Sequence, residues 1–392
     1  MSGIGIAGPT LAYWLEQNGF KTTLVERAAS PRVGGYVIDF WGVGYDIAER
    51  MGLLPELRAF GYDVEEVRFV DRNGRRVGGF DVKRFRSLTN GRYLSLPRGD
   101  LANLLCRKVE ERCEMIFDDA ISQIEQDEGG ANISFEQTKP RRFDLVIGAG
   151  GLHSVVRKLV FGPEERFRRF LGYTAAAFKV KGYKPRDEGV YVTYATPGKQ
   201  VARFAMRDDH TVFLLVFRTD QPLRTERFDS RSQKQQLHEQ FDYEGWECPR
   251  ILAALDGCDD IYLDDVSQIH MSAWSKGRLA LVGDAAFCPS LLAGQGSALA
   301  MMGAYVLAGE LSRRKRSPEE ALEHYERFLR YFILEKQAAA EQFAYSFIPQ
   351  TRFGLFVRNQ ITKAFSIPFV AQLAMGRTLV DRIGLPIYTV CN

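Results

Sequence analysis

Hydrophobic positions near the start of the chain recur at helical spacing: Leu11, Ala12, Trp14 and Leu15 form one stripe, and Gly19 stands where a helix C-cap would. Pro9 lies just ahead of the stripe, in a first helical turn that needs no N–H from it. The run Lys21-Thr22-Thr23-Leu24-Val25-Glu26 then reads as a strand that delivers Glu26 at its end. Helical spacing returns over residues 45–54 and again from the Leu96-Pro97-Arg98-Gly99-Asp100 turn to residue 111. Residues 67–82 read as a hairpin about Asp71-Arg72-Asn73-Gly74, because Asn73 and Gly74 both tolerate positive φ. A second hairpin pairs 121–126 with 131–135, and Phe143-Asp144-Leu145-Val146-Ile147 is a buried-type strand running into Gly148-Ala149-Gly150-Gly151.

From about residue 171 the character changes. Segments 173–180, 190–194, 201–206 and 211–217 are β-branched and aromatic with short turns between them, the pattern of an antiparallel sheet with one face against a partner. One helix, 232–243, interrupts it. Arg278-Leu279-Ala280-Leu281-Val282-Gly283-Asp284 restores the buried parallel-strand pattern, and a long helix follows from about residue 294. The expected fold class is α/β: a Rossmann-like domain of residues 1–170 and 271–345, interrupted by an antiparallel sheet domain at 171–270 and followed by a helical region at 346–392.

Chemistry enters through glycines. Gly3-Ile4-Gly5-Ile6-Ala7-Gly8 is a G-x-G-x-x-G loop, and Glu26 follows its last glycine by 18 residues. In a dinucleotide fold the first glycine makes the turn and the second lets backbone approach a pyrophosphate. The third admits close helix packing, and the acid holds a ribose hydroxyl. Such a loop ordinarily follows a strand, yet only Met1 and Ser2 precede it, so the first strand is expected to be missing and its two neighbours unpaired. A second strand-acid-glycine motif, Gly283-Asp284-Ala285-Ala286-Phe287-Cys288-Pro289 with Gly294-Gln295-Gly296-Ser297, supplies another ligand loop. Two such loops on one sheet favour a long dinucleotide such as FAD over a mononucleotide.

Composition narrows the remaining classes. At 392 residues, 45% hydrophobic and 26% charged, the chain is an ordinary globular sequence with room for two or three lobes. A formal charge of +3 without an aromatic-interleaved basic block argues against nucleic acid. The six cysteines and five histidines show no metal-ligand spacing, so the thiols read as reduced and the protein as cytoplasmic and metal-free. No apolar run reaches the roughly 18 residues a bilayer span requires.

Taken together, Gly3–Gly8 with Glu26, the Gly34-Gly35 loop, Arg98-Gly99-Asp100, Gly148–Arg157 and Gly283–Gly296 resemble the FAD-dependent aromatic hydroxylases. These are the p-hydroxybenzoate hydroxylase-like flavoprotein monooxygenases; within them the chain is similar to the tetracycline-inactivating enzymes and polyketide-tailoring relatives. The resemblance spans essentially the whole length. It implies FAD as cofactor, NAD(P)H and O₂ as co-substrates, and an aromatic or polycyclic small molecule as substrate of a monomer or homodimer. Oxygen transfer would pass through a flavin C4a-hydroperoxide, with no catalytic side chain of the protein's own. Cofactor contacts would come from Gly3, Gly5, Gly8, Pro9, Glu26, Arg27, Arg98, Gly283, Asp284, Pro289, Gly294, Gln295, Gly296 and Ser297. Glu26 would take the adenosine ribose, Arg98 the flavin side, Asp284 the ribityl-pyrophosphate stretch, and the Gly294–Gly296 turn the isoalloxazine.

The chain departs from that pattern at Gly150, where the family carries an aspartate; Ser154 and Arg157 remain, and reduction by NAD(P)H is the step this touches. Arg218, at a strand end, reads either as a residue reaching into the cleft or as a solvated edge arginine. Tyr173, Tyr191, Phe204 and Phe213 are either a substrate wall or ordinary packing, and Phe287, where relatives carry histidine, leaves the pocket floor less polar. The apolar but charge-broken stretch 353–379 is expected as helices bridging the lobes, with membrane-surface binding as the lesser alternative. Two other functions stay open: a flavin-binding protein without turnover, and a different FAD oxidoreductase on the same scaffold. A plain NAD-dependent dehydrogenase would leave the Gly283–Gly296 motif without a role.

Overall fold

The structure, a computed structural model, describes residues 1–31, 34–223, 229–313, 316–365, 381 and 383–388. Its first lobe is built on short parallel strands, Thr23–Val25 beside Glu114–Ile116 and Val146–Gly148 beside Leu279–Leu281. Val146–Gly148 and Leu279–Leu281 are buried at every position, as parallel strands covered on both faces must be. Ser2 joins the two pairs, bridging Val25 on one side and Gly148 on the other. The expected gap in the sheet is therefore corrected: residues 1–3 take the central place and leave neither neighbour unpaired at that level. Helices Ala7–Glu16 and Gly296–Leu311 pack on each other beside this sheet. The second is apolar and buried from Ala298 to Glu310, because it runs between layers rather than along the surface.

The second lobe is a seven-stranded sheet ordered Ile261–Ile269, Arg168–Lys181, His210–Arg218, Lys199–Ala205, Val190–Thr196, Glu66–Val70 and Arg76–Asp81. The last two strands are the hairpin about Asn73-Gly74. It was expected within the first lobe, but Glu66–Val70 pairs in parallel with Val190–Thr196 and extends the inserted sheet instead. Local turn chemistry marks a hairpin; it does not say which sheet the hairpin joins.

Strand alternation gives this sheet two different faces. On one, Phe178, Phe213, Leu215 and Phe217 pack under helices Ser230–Phe241 and Cys248–Asp256. The second of these helices went unanticipated, although Pro249 and the stripe of Cys248, Ile251, Leu252 and Leu255 were its signal. The other face meets the first lobe: Tyr191, Phe204 and Val212 lie with Val37, Trp41, Tyr62 and Tyr93. Tyr173, Ala175 and Val216 lie with Leu292, Ala344 and Ile348. Phe213 is thus corrected from substrate wall to core, since its ring stacks on Phe178 at 5.1 Å and meets Tyr183 edge-on at 4.9 Å behind the sheet.

Of the expected stretch 353–379, helix Arg352–Ala364 is described and residues 366–379 lie outside the described residues. The helix lies on the hairpin strand, where Thr362 Oγ1 accepts from Gly79 N at 3.2 Å. Arg358 sits over the Phe69 ring at 4.2 Å and donates to Gln200. Farther on, Tyr388 donates to Glu310 of the first lobe at 2.8 Å. No helix among the described residues is long and apolar enough to cross a membrane.

Phe213→Ala should cost about 3–5 kcal/mol of folding stability, the ordinary cost of truncating a core phenylalanine. Urea denaturation measures it; an unchanged midpoint would return Phe213 to the substrate side.

Candidate cofactor and substrate site

The three fingerprint glycines have three different environments. Gly3, at φ +113°, lies so close to the Ala149 carbonyl that a β-carbon would collide with it, and Gly8 lies equally close to the Gly3 carbonyl. Gly5 has nothing within 4 Å of where its β-carbon would stand. The outer two glycines therefore close the loop on the sheet and on itself, and the middle one keeps a bare backbone edge. Helix Ala7–Glu16 opens directly behind that edge without a side-chain cap, so its first N–H groups keep their capacity for an anion. Pro9 is buried in the helix's first turn. Glu26 braces the loop: Oε2 accepts from Ile4 N at 2.9 Å and Oε1 from Ala28 N at 3.1 Å. Its neighbour Arg27 points away, 3.9 Å from Glu136, with both side chains more than half exposed.

The second motif arrives at the same place. A β-carbon on Gly283 would stand 3.1 Å from Ala7 Cβ and 3.3 Å from Ala300 Cβ, so this turn is wedged between the two helices that carry the glycine loops. Asp284 follows it. Burial pushes its carboxyl above the usual range, against the pull of the Arg98 cation. Arg98 opens helix Arg98–Val109, its N–H bonded to Tyr36 O at 3.1 Å. Gly294, at φ +67°, turns the chain into Gln295, the buried N-cap of the Gly296–Leu311 helix, again without a side-chain cap bond. Ser297 lies in that first turn, and Gly296 lies beside Asp284, with 3.7 Å from its β-carbon position to Oδ1. Pro289 presents its carbonyl to Gln268 at 3.0 Å.

Between this edge and the sheet lies a cluster that sequence reading missed. Strand Val37–Trp41 turns Ile38 and Phe40 into the first core and Val37 and Trp41 toward the sheet. By alternation Asp39 shares the second face. Its Oδ1 accepts from Tyr93 Oη and Ser95 Oγ, each at 2.6 Å, and burial holds the carboxyl above its ordinary range despite those donors. Opposite, Tyr191 and Phe204 stack at 4.4 Å, with Tyr62 edge-on to Phe204 at 5.4 Å. The Trp41 ring reaches the Gly294 turn, 3.8 Å from its β-carbon position. An acid at the middle of an alternating apolar strand was the available signal.

Two expected substrate residues lie elsewhere. Phe287 is corrected from pocket floor to core: it is 1% exposed, lies 4.7 Å from the Trp274 ring and fills the space that Gly303 leaves open. Arg218 donates to Gln350 at 2.5 Å and lines a surface cavity of about 290 Å³ with Arg169, Gly172, Asp220 and Glu341. None of the residues of the two glycine motifs lines that cavity. Phe204 faces the first lobe but is likewise corrected from substrate wall to core, 1% exposed beneath Tyr191 and Tyr62. Among the described residues no group of three or more His, Cys, Asp or Glu is placed to hold a metal ion, and the five described cysteines are buried and free.

Residues 2–333 match the family described as FAD binding domain. A flavin-dependent monooxygenase from an unknown prokaryotic organism is 36% identical over 342 residues, covering 85% of this chain and 84% of the relative. The chain belongs to the FAD-dependent monooxygenases. Another flavin-dependent monooxygenase, from Legionella longbeachae, is 32% identical and covers 98% of this chain and 97% of its own. Among solved structures, tetracycline destructase Tet(55) superposes with a TM-score of 0.83 at 32% identity, covering 99% of this chain and 97% of that one. The bare Gly5 edge, two uncapped helix starts and the half-buried Asp284 between them suit FAD, whose diphosphate needs backbone N–H groups and whose polyol chain needs an acceptor.

Gly8→Ala should lower the stability of the FAD-free monooxygenase by about 1–3 kcal/mol, as forced overpacking does. Gly5→Ala should leave that stability within about 0.5 kcal/mol and still weaken FAD binding. Thermal denaturation with and without FAD separates the two; equal effects on the free protein would contradict the division of roles.

Proposed function

We propose that the protein is an NAD(P)H-consuming hydroxylase of aromatic or polycyclic small molecules. The observation that carries this reading is the meeting of its two glycine motifs at Gly283 and Ala7, with the Trp41 ring of an aromatic cluster reaching the Gly294 turn and the half-buried Asp39 in that cluster. The N–H groups from Gly5 into helix Ala7–Glu16 would hold the FAD diphosphate, with Glu26 on the adenosine ribose. Asp284 would hold the ribityl chain, and the Gly294–Gly296 turn would back the ring system, with Arg98 on its open side. When bound, FAD supplies the hydride acceptance and oxygen activation that the side chains cannot.

The chain's own work is then positioning and exclusion of water. Trp41 and Tyr191, both half-buried, offer flat apolar surface to a ring, Phe204 backs Tyr191 from the core, and Asp39 offers an acceptor to a substrate hydroxyl. Its raised carboxyl, oriented by Tyr93 and Ser95, suits accepting that proton near neutral pH better than an ordinary aspartate would. A polycyclic substrate is supported by the likeness to a tetracycline destructase over nearly the full length of both chains. Five buried free thiols suit a reducing, cytoplasmic setting.

Gly150 favours a second reading, flavin binding without turnover. The position has room for a side chain, its β-carbon site standing 3.5 Å from Ser154 Cα, yet the family's carboxylate is absent. One preparation decides between the readings. The purified protein should show a flavin absorption band after FAD addition and oxidise NAD(P)H faster when phenols or tetracyclines are supplied. Bound flavin with no NAD(P)H oxidation under any of them would select the second reading. Asp284→Ala should weaken FAD binding at least about tenfold, the loss of one charged hydrogen-bond acceptor; full occupancy would contradict its role.

A further inference from the structure

His153 follows the Gly150-Gly151 turn, and both of its ring nitrogens face carboxylates. Nδ1 lies 3.1 Å from Glu164 Oε1, in the short turn Glu164–Arg166. Nε2 lies 3.1 Å from Asp264 Oδ2, on edge strand Ile261–Ile269 of the seven-stranded sheet. A carboxylate accepts and does not donate, so only an imidazolium, with an N–H on each nitrogen, satisfies both contacts. A neutral ring would turn a lone pair toward one of the acids.

The ring stands in a longer chain of charges. Fully buried Arg157 donates to Ala285 O at 3.0 Å, next to Asp284, and to Glu164 Oε2 at 2.9 Å. Glu164 also takes Arg168 at 3.3 Å, and Arg168 reaches Asp265 at 3.7 Å. Asp265 in turn accepts from Leu223 N. The same edge strand meets the Gly34–Tyr36 loop of the first lobe, since Tyr262 lies 5.7 Å from the Tyr36 ring and Asp260, just before the strand, lies against Gly34.

We propose that His153 is a positioning residue that clasps the cofactor lobe to the substrate sheet, joining the Gly150–Arg157 loop and the Asp284 turn to strand Ile261–Ile269 through Glu164 and Asp264. Without its cation, Asp264 loses its bond to the cofactor lobe, while Glu164 keeps Arg157 and Arg168 on its own side of the seam. The inference rests on the proposed FAD site, because the clasp matters only if FAD lies beneath this seam. The carboxylates of Asp264 and then Glu164 raise the His153 imidazole to about 9 from its ordinary 6.5, against burial. A group raised on folding stabilises fully below its unfolded value and loses that contribution as pH climbs through its folded one. The clasp is therefore intact at pH 7 and open by pH 10.

The test uses four full-length variants, His153→Gln, His153→Arg, Asp264→Asn and the His153→Gln/Asp264→Asn double, with FAD titrated by fluorescence quenching and urea midpoints read at pH 7 and 10. At pH 7, His153→Gln and Asp264→Asn should each weaken FAD binding about tenfold, equivalent to about 1.4 kcal/mol of coupling. The double variant should be no weaker than either single one. At pH 10 the wild type should fall to the level of His153→Gln, whereas His153→Arg, permanently charged and able to reach both acids, should keep its pH 7 affinity. Additive single effects, or a wild type that stays ahead of His153→Gln at pH 10, would overturn the clasp. A wild type that binds no FAD would instead defeat the cofactor reading, and the pH-dependent coupling in urea midpoints would still judge the His153–Asp264 link.

Discussion

Met1 to Gly3 carry the hydrogen bonds on which the cofactor edge depends. Ser2 N donates to Ile147 O at 2.9 Å and Ser2 O accepts from Ala149 N at 2.7 Å. On the other side Gly3 N donates to Val25 O at 2.7 Å and Met1 O accepts from Val25 N at 2.9 Å. Each bond contributes only about 0.5–1.5 kcal/mol net, but together they fix three chain segments in one register. The loops that leave these parallel strands all emerge at the same sheet edge, which is where ligands bind in doubly wound folds. Gly3 must then turn immediately against Ala149, and no residue with a β-carbon could do so.

From that constraint the division of labour follows. The parallel edge gathers the glycine loop, Glu26, Arg98 and the Asp284 turn. The seven-stranded sheet turns its helix-covered face outward and its Tyr191 and Phe204 face toward that edge. Strand Ile261–Ile269 and the residue before it form the seam, with Asp260 against Gly34, Tyr262 near Tyr36 and Asp264 at His153 of the first lobe.

Much of this was legible in the sequence because it is local. The glycine spacing, the strand that delivers Glu26, and Asp284 at a strand end are read from neighbours along the chain. What escaped is decided by partners far away. Phe213 and Phe204 lie on neighbouring strands of similar composition, and only the position of helices Ser230–Phe241 and Cys248–Asp256 says which of two cores each ring joins. Phe287 sits inside a ligand motif yet turns to Trp274, because Gly303 leaves it room there. The Asn73-Gly74 hairpin was plain as a hairpin but not as the sheet's far edge. Asp39 and His153 acquire meaning only through Tyr93 and Asp264, 54 and 111 residues away.

The central claim is that two motifs almost 280 residues apart form one FAD site over the Met1–Gly3 strand. A crystal structure of the protein grown with FAD tests it most directly. The account predicts the diphosphate within hydrogen-bond distance of the backbone from Gly5 to Ala7, the ribityl chain at Asp284, and the ring system against Gly294–Gly296. FAD lodged on one motif alone, or in the cavity beside Arg218, would contradict it.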